Sequence, residues 1–138
     1  MPNGIDLILQ DHQDVNDLFD RFAETGDGAV IGEVIARLTA HDDAEHGALY
    51  PLLGAVLDDE DMVMRAAAAH SAVKKQIDEI KHLEGPPLTD AFNVLRTLVA
   101  DHVADEENVM LPALATRATP AQLDGLGSRI LQIKQRVG

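Results

Sequence analysis

The sequence has no cysteine or tryptophan, and only three phenylalanines and one tyrosine among its 138 residues. Without cysteine there can be no disulfide bond, thiolate metal site, thiol nucleophile or covalently attached c-type haem. Basic residues are also scarce: 11 Lys and Arg against 24 Asp and Glu give a net charge of −13 at pH 7. Because this charge repels phosphate backbones and anionic lipids, we expect no nucleic-acid partner and no membrane partner.

Long hydrophobic runs are missing as well. No apolar stretch approaches the ~18 residues that a membrane span requires. The initial segment MPNGIDLILQDH has no basic leader before a long apolar run, so we expect no signal peptide and a cytoplasmic location. The hydrophobic fraction of 46% suffices for one core. The length is that of one domain, so we predict a single domain over residues 1–138.

Glycine, proline and polar clusters divide the chain into helical segments. The first two predicted helices cover about 5–24 and 29–57, the second with a kink or break at Pro51. Residues 58–61 form a loop and the acidic first turn of a third helix that runs to about Leu83. The fourth, capped by Thr89 or Asp90, reaches about Thr116. A short helix over about 120–136 follows Thr119-Pro120. No segment alternates like a strand. The predicted fold is therefore all-α, an up-down-up-down four-helix bundle over about 5–116 with a short C-terminal helix.

Each long helix has an apolar face on which histidine appears. Apolar residues recur every three or four positions, and the face is interrupted in turn by His12, His41, His70 and His102. A glutamate follows one turn after two of these histidines, at Glu45 and Glu106. Since burying carboxylates and imidazoles is costly unless they are paired, these six side chains need a common partner.

The two halves of the chain repeat this pattern. His41-x3-Glu45-x5-Pro51 matches His102-x3-Glu106-x5-Pro112. In an antiparallel hairpin, residues equidistant from the turn lie at one height. The midpoints of His12 and His41, of Glu45 and His70, and of His70 and His102 all fall at predicted turns. We therefore expect the four histidines and two glutamates to meet in one layer of the bundle.

Imidazole and carboxylate donors without thiolate favour iron, manganese or zinc. Two bridging carboxylates with terminal histidines are typical of a dinuclear centre, whose charge would support an oxo or hydroxo bridge. The alternatives are a haem-binding bundle, which leaves the buried glutamates unexplained, and a plain helical bundle with satisfied core histidines. His46 is expected outside the ligand layer, His82 is expected to be structural, and the acidic runs 42–43 and 105–107 are expected to be mostly solvated, with only Glu106 pointing inward.

The pattern His12 … His41-x3-Glu45 … His70 … His102-x3-Glu106 resembles the hemerythrin-like family of HHE cation-binding domains. The resemblance implies two iron ions, with His12, His41, His70 and His102 as terminal ligands and Glu45 and Glu106 as bridging ligands. It implies dioxygen or hydrogen peroxide as the small-molecule ligand.

One feature departs from the oxygen-carrying members, which have a second histidine one turn from the first on the third helix. The positions one turn from His70 are Ala66 and Lys74. An open metal position puts reversible oxygen storage in doubt and favours reaction with peroxide. Tyr50 is a candidate replacement ligand, although on a regular helix it lies about half a turn from the face of His41.

The predicted function is that of a non-haem di-iron protein that binds dioxygen or disproportionates peroxide in a catalase-like reaction. The alternative is a non-catalytic iron- or oxygen-responsive sensor or storage module. The sequence leaves the oligomeric state and the redox partner open.

Overall fold

The computed structural model describes residues 2–137, which form a bundle of helices, and no strand occurs within that range. The all-α, hemerythrin-like bundle predicted from the sequence is confirmed. In chain order the helices are α1 (Gly4–Thr25), α2 (Gly28–Ala44), α3 (Tyr50–Leu57), α4 (Glu60–Ile80), α5 (Gly85–Asp105), α6 (Leu111–Arg117) and α7 (Pro120–Val137). Within the described residues, no helix is long and apolar enough to cross a membrane.

Local side chains explain where the helices begin and end. Asn3 and Asp6 form a reciprocal capping box at the start of α1, with two hydrogen bonds of 3.1 Å. Gly26, at φ 65°, ends the same helix in the left-handed conformation that glycine adopts without strain. Asp27 and Asp59 accept hydrogen bonds from the first turns of α2 and α4. These caps set the lengths of the hairpin arms.

The fourth long helix starts earlier than the sequence analysis predicted. It begins at Gly85, so the predicted cap at Thr89 or Asp90 is wrong. Pro86 and Pro87 lie in the first turn of α5, where a missing backbone N–H costs nothing because that group has no helical acceptor. The prolines thus begin this helix and do not merely end the preceding one.

Two π-helical segments interrupt the second and fourth arms of the bundle. They cover Glu45–Leu49, between α2 and α3, and Glu106–Met110, between α5 and α6. Tyr50 N–H donates to the carbonyl of Glu45, and Leu111 N–H donates to that of Glu106. A proline follows each of these donors. In a regular α-helix the proline has no N–H to donate, and its ring would clash with the carbonyl four residues earlier. The wider π-helical turn removes this clash.

Each wider turn adds one residue and rotates everything after it. Apolar spacing continued past Glu106 predicts Val109 on the core face, but Val109 is 43% exposed, while Met110 and Leu111 are buried. On the other arm the same spacing predicts Leu52, which is only partly buried, whereas Leu53 is buried. At these positions the buried face is shifted by one residue.

The core consists of two apolar clusters on either side of the predicted histidine layer. One, near the turns that join α1 to α2 and α4 to α5, is built around Phe19, Phe92 and Leu95. The other, beyond the π-helical segments, is built around Leu49, Leu53 and Leu114 and includes side chains from α7. The polar layer therefore lies between two hydrophobic clusters.

Helix α7 packs against α1, α2 and the first π-helical segment. The contact is close at glycine: a Cβ built on Gly4 would lie 2.2 Å from Leu126 Cγ, and one on Gly47 would lie 2.6 Å from Ile133 Cδ1. The terminal helix that was predicted to be short thus has 18 residues. Its packing depends on the glycines at positions 4 and 47 beneath it.

Substituting Gly4 by alanine should therefore destabilise the protein by about 1–3 kcal/mol, because the added methyl group overlaps the side chain of Leu126. The matched control is Gly32→Ala within α2, where an added Cβ meets nothing within 4 Å. That change should stabilise the protein by about 0.4–1 kcal/mol through helix propensity. Urea unfolding of both variants measures the difference, and equal effects would show that α7 does not pack tightly on α1.

Candidate metal centre

Four histidines and two glutamates lie in one buried layer across the bundle. His12 comes from α1, His41 from α2, His70 from α4 and His102 from α5. Glu45 and Glu106 are the first residues of the two π-helical segments, and they are 1% and 0% exposed. The helical spacing of three or four residues, together with the equal arms of the hairpins, brings all six together.

These side chains form two groups that share both carboxylates. In the first, ligand atoms of His12, His41, Glu45 and Glu106 all lie within 4.8 Å of one another. In the second, His70 and His102 take the place of the other two histidines beside the same glutamates. Each group could hold a cation, and the two groups have both carboxylates in common.

The individual distances fit donors around a common cation. His12 Nε2 lies 3.1 Å from Glu106 Oε1, and His41 Nε2 lies 2.9 Å from Glu45 Oε1. In the second group His70 Nε2 lies 3.0 Å from Glu45 Oε1, and His102 Nε2 lies 3.0 Å from Glu106 Oε2. Two donors at right angles, each ~2.1 Å from a metal ion, lie ~3 Å apart.

Several of these atoms are otherwise unsatisfied. Both carboxylate groups and the Nε2 atoms of His12 and His41 are buried and find no hydrogen-bond partner of good geometry among residues 2–137. Such groups are rare in folded proteins because each costs about 1–3 kcal/mol. Metal ions would satisfy them, so the residues present fit a pair of cations.

Carboxylates contact the Nδ1 atoms of three histidines, whose Nε2 atoms face the two glutamates. Asp11 lies 2.9 Å from His41 Nδ1, Glu107 lies 2.7 Å from His12 Nδ1, and Asp42 contacts His70 Nδ1. Carboxylates in this position orient imidazole ligands and make the metal-binding nitrogen more basic. The prediction that Asp42 and Glu107 belong to mostly solvated acidic runs was wrong.

Asp11 was not predicted as part of the site, although the sequence contains a signal for it. Asp11, Asp42 and Glu107 each adjoin a member of the six-residue layer in sequence, and each reaches a histidine on another helix. The residues on either side of His70 are Ala69 and Ser71, which cannot supply a carboxylate. Accordingly, His102 Nδ1 is buried without a partner within the described part of the chain.

The charges in this layer are strongly coupled. Burial lowers the pKa of His41, but the Glu45 carboxylate and the hydrogen bond with Asp11 outweigh it and raise that pKa to about 10. Burial lowers the pKa of His102 as well, but the nearby carboxylates of Glu106 and Glu45 outweigh it and raise that pKa to about 9. Burial raises the pKa of Glu45, yet the His41 charge holds it well below its usual range. Without metal, protons on histidine neutralise the glutamates.

Tyr50 lies inside the layer. Its hydroxyl is 2.6 Å from His70 Nε2 and 3.5 Å from His102 Nε2, and the residue is 5% exposed. On a regular helix Tyr50 would be rotated by ~140° from Glu45. In the π-helical turn the fifth residue lies one turn above the first, so Tyr50 points to the same side as Glu45. The corresponding residue of the second half, Leu111, is buried in apolar packing.

The two remaining histidines lie outside the six-residue layer. The His46 side chain is 44% exposed, and its Nε2 lies 3.2 Å from Asp42 Oδ1. His82 is exposed in the turn after α4 rather than within its last turn.

Comparison with known proteins agrees with this geometry. The sequence profile of the hemerythrin HHE cation-binding domain matches residues 3–114. The chain belongs to this family. The match contains all six residues of the layer and ends before α7.

Two individual proteins are similar over nearly the whole chain. A crystal structure of a hemerythrin HHE cation-binding domain-containing protein from Mycobacterium kansasii superposes with a TM-score of 0.87 at 23% identity, covering 99% of this chain and 88% of that one. A DNA nickase from Nostoc is 27% identical over 138 residues, which are 96% of this chain but only 39% of the relative. The first supports the fold, and the second spans far more than this domain.

Proposed function

We propose that this HHE domain holds two iron ions and reacts with peroxide or dioxygen. The observation that supports this proposal most directly is that two groups of four donor residues share the carboxylates of Glu45 and Glu106. His12 and His41 would hold one ion, and His70 and His102 the other. A pair of redox-active ions at such a site supplies or accepts two electrons, which is the requirement for peroxide disproportionation and for dioxygen binding.

The protein's own side chains would arrange this chemistry. Asp11, Asp42 and Glu107 hold the histidine rings with Nε2 directed inward. Glu45 and Glu106 are 1% and 0% exposed, and their burial strengthens the electrostatic interactions within the layer. The absence of a fifth histidine beside His70 leaves room for an exchangeable ligand or for the hydroxyl of Tyr50.

The deciding experiment is metal analysis and visible absorption of untagged protein purified in air, followed by addition of hydrogen peroxide. We expect about two irons per chain, near-ultraviolet absorption typical of bridged ferric ions, and release of dioxygen from peroxide. Iron-free, colourless protein that remains folded and cannot be reconstituted would overturn the proposal.

A second candidate function is a non-catalytic sensor or storage module. One observation favours it: Lys134 on α7 forms an ion pair with Asp11, which in turn contacts His41. Metal occupancy could therefore alter the docking of a helix that lies outside the matched region. Iron-dependent release or protection of α7 in hydrogen exchange, without peroxide turnover, would support this alternative.

We further propose that Tyr50 is a ligand of the ion held by His70 and His102. Burial and the neighbouring Glu45 charge raise the pKa of the phenol, so it is neutral in the metal-free protein. A bound cation would reverse that preference. The Tyr50→Phe variant should lose a broad visible absorption band while retaining about two irons per chain.

The matched control for this variant is His46→Gln, because the His46 ring packs against Tyr50 with the centroids 5.1 Å apart yet points partly to solvent. This control should keep the band. A spectrum that is the same in Tyr50→Phe as in the unmodified protein would show that the tyrosine packs beside the centre without binding metal.

A further inference from the structure

A cavity of about 410 Å³ lies between the two helical hairpins, against the four histidines of the metal centre. Part of its apolar wall comes from residues one to two turns from each histidine, on the side of the hairpin turns. These are Val15 and Phe19 on α1, Leu38 on α2, Val73 and Ile77 on α4, and Val99 on α5. The opposite side of the histidine layer is closed by the packed cluster around Leu49, Leu53 and Leu114.

The cavity, called the chamber below, has a buried apolar wall and an open rim. Val15, Phe19, Leu38 and Ile77 are each 8% exposed or less, whereas Gln13 and Asn16, which also line it, are exposed. Arg96 lines the chamber too; it donates to Asp20 at 2.5 Å and lies 5.5 Å above the Phe19 ring.

The chamber is much larger than dioxygen or hydrogen peroxide requires. Two ions and a diatomic ligand, at about 30 Å³ each, would occupy on the order of 100 Å³. A cavity of about 150 Å³ lined by apolar side chains accommodates a benzene ring. The space that remains here is enough for an organic group of aromatic size.

The charges around the chamber disfavour anions. Asp11, Asp42, Asp43 and Glu107 line it, against the cations Lys74 and Arg96. Both cations are already paired, Lys74 with Asp42 at 3.3 Å and Arg96 with Asp20. Carboxylates therefore outnumber the Lys and Arg side chains around the chamber, which disfavours an organic acid relative to an uncharged molecule.

We infer that this chamber binds an uncharged organic molecule with an apolar body and an oxygen-bearing head, and that an organic hydroperoxide is a substrate class of the centre. The assignment of a substrate rests on the proposed peroxide chemistry, whereas the binding of the apolar body does not. The reaction is ROOH + H2O2 → ROH + H2O + O2. The O–O bond of the organic hydroperoxide breaks as it gains two electrons and two protons, and hydrogen peroxide supplies both as it becomes dioxygen.

The first test uses metal-free full-length protein and 2-phenyl-2-propanol, the alcohol that corresponds to cumene hydroperoxide. Methyl NMR titration should show saturable binding with shifts at Val15, Val73 and Val99, whereas benzoate, an anion of similar size, should not bind. The Val99→Phe variant, which fills the chamber, should bind the alcohol at least about tenfold more weakly, equivalent to ~1.4 kcal/mol. The control Val94→Phe makes the same change on the exposed side of α5, where Val94 is 50% exposed, and should bind normally.

Circular dichroism and thermal melting establish whether Val99→Phe is folded, and Val99→Ala, which enlarges the chamber, supplies a second variant that should still bind. Absence of alcohol binding, equal binding of benzoate, or equal binding by the two phenylalanine variants would overturn the inference.

The second test uses the iron-loaded protein with hydrogen peroxide, alone and together with cumene hydroperoxide. Formation of 2-phenyl-2-propanol with release of dioxygen supports the substrate class. If hydrogen peroxide is consumed but cumene hydroperoxide is not, the substrate class is wrong and the proposed function stands. If neither peroxide reacts although the metal-free protein binds the alcohol, the proposed function fails and the chamber remains a ligand site.

Discussion

Replacing Glu45 by alanine is expected to remove metal from both positions of the centre and to abolish peroxide consumption. Glu45 Oε1 lies 2.9 Å from His41 Nε2 and 3.0 Å from His70 Nε2, so one side chain serves both groups. Loss of an outer partner of a ligand typically costs 10–100-fold in metal affinity. Loss of a shared ligand should therefore reduce affinity by more than about 100-fold, measured as iron per chain after reconstitution and desalting.

The design includes two comparisons. His102→Ala removes a donor from one group only, so it should release one ion in preference to the other. His82→Ala changes an exposed histidine outside the layer and should leave iron content unchanged. Equal iron content in Glu45→Ala, His102→Ala and His82→Ala would mean that these residues do not hold the metal.

The metal-free protein is expected to lose stability as the pH rises from about 6 to 10. The folded-state pKa values of His41 and His102 are raised to about 10 and about 9, from about 6.5 when unfolded. A raised histidine pKa stabilises the fold fully below the unfolded value, and that stabilisation disappears as the pH passes the folded value. The midpoint of thermal unfolding should fall by at least about 5 °C over this interval. The lowered pKa of Glu45 has the opposite pH dependence: the carboxylate stabilises the fold at neutral pH, and this stabilisation is lost as the pH falls below the ordinary glutamate pKa of 4.5.

Iron-loaded protein provides the contrast, because metal binding requires neutral histidine and replaces the protons that held the glutamates. The increase in unfolding temperature on adding iron should therefore grow between pH 6 and pH 9. A metal-free protein whose stability is constant or rises over the alkaline range would show that the histidines are neutral within the folded layer.

Much of this molecule could be predicted from residue spacing. His12, His41, His70 and His102 fall at equal heights because each hairpin has arms of matching length, and helix caps such as Asp27 keep the turns short. The hemerythrin-like resemblance based on these positions is confirmed by the family match over residues 3–114. The fold class followed from the same periodicity. The roles of the six side chains as ligands remain a proposal that metal analysis can test.

Other features could not be predicted from the sequence because they depend on contacts between distant segments. The pairing of Glu107 with His12 joins residues 95 positions apart, and no local pattern specifies it. The docking of α7 on Gly4 likewise depends on which faces meet after the bundle closes. Acidic residues beside a ligand were interpreted as solvated because their own helix places them at its edge.

By itself, the sequence determined an all-helical bundle and a single layer of histidine and glutamate, since a period of 3.6 residues and two matched hairpins leave few other arrangements. Only the tertiary structure decided which side of the layer Tyr50 faces, where the apolar chamber lies and which carboxylates support the histidines. The physical reason is the wider turn before Pro51 and Pro112: it shifts the helical register by one residue, and apolar spacing alone does not record where such a shift occurs.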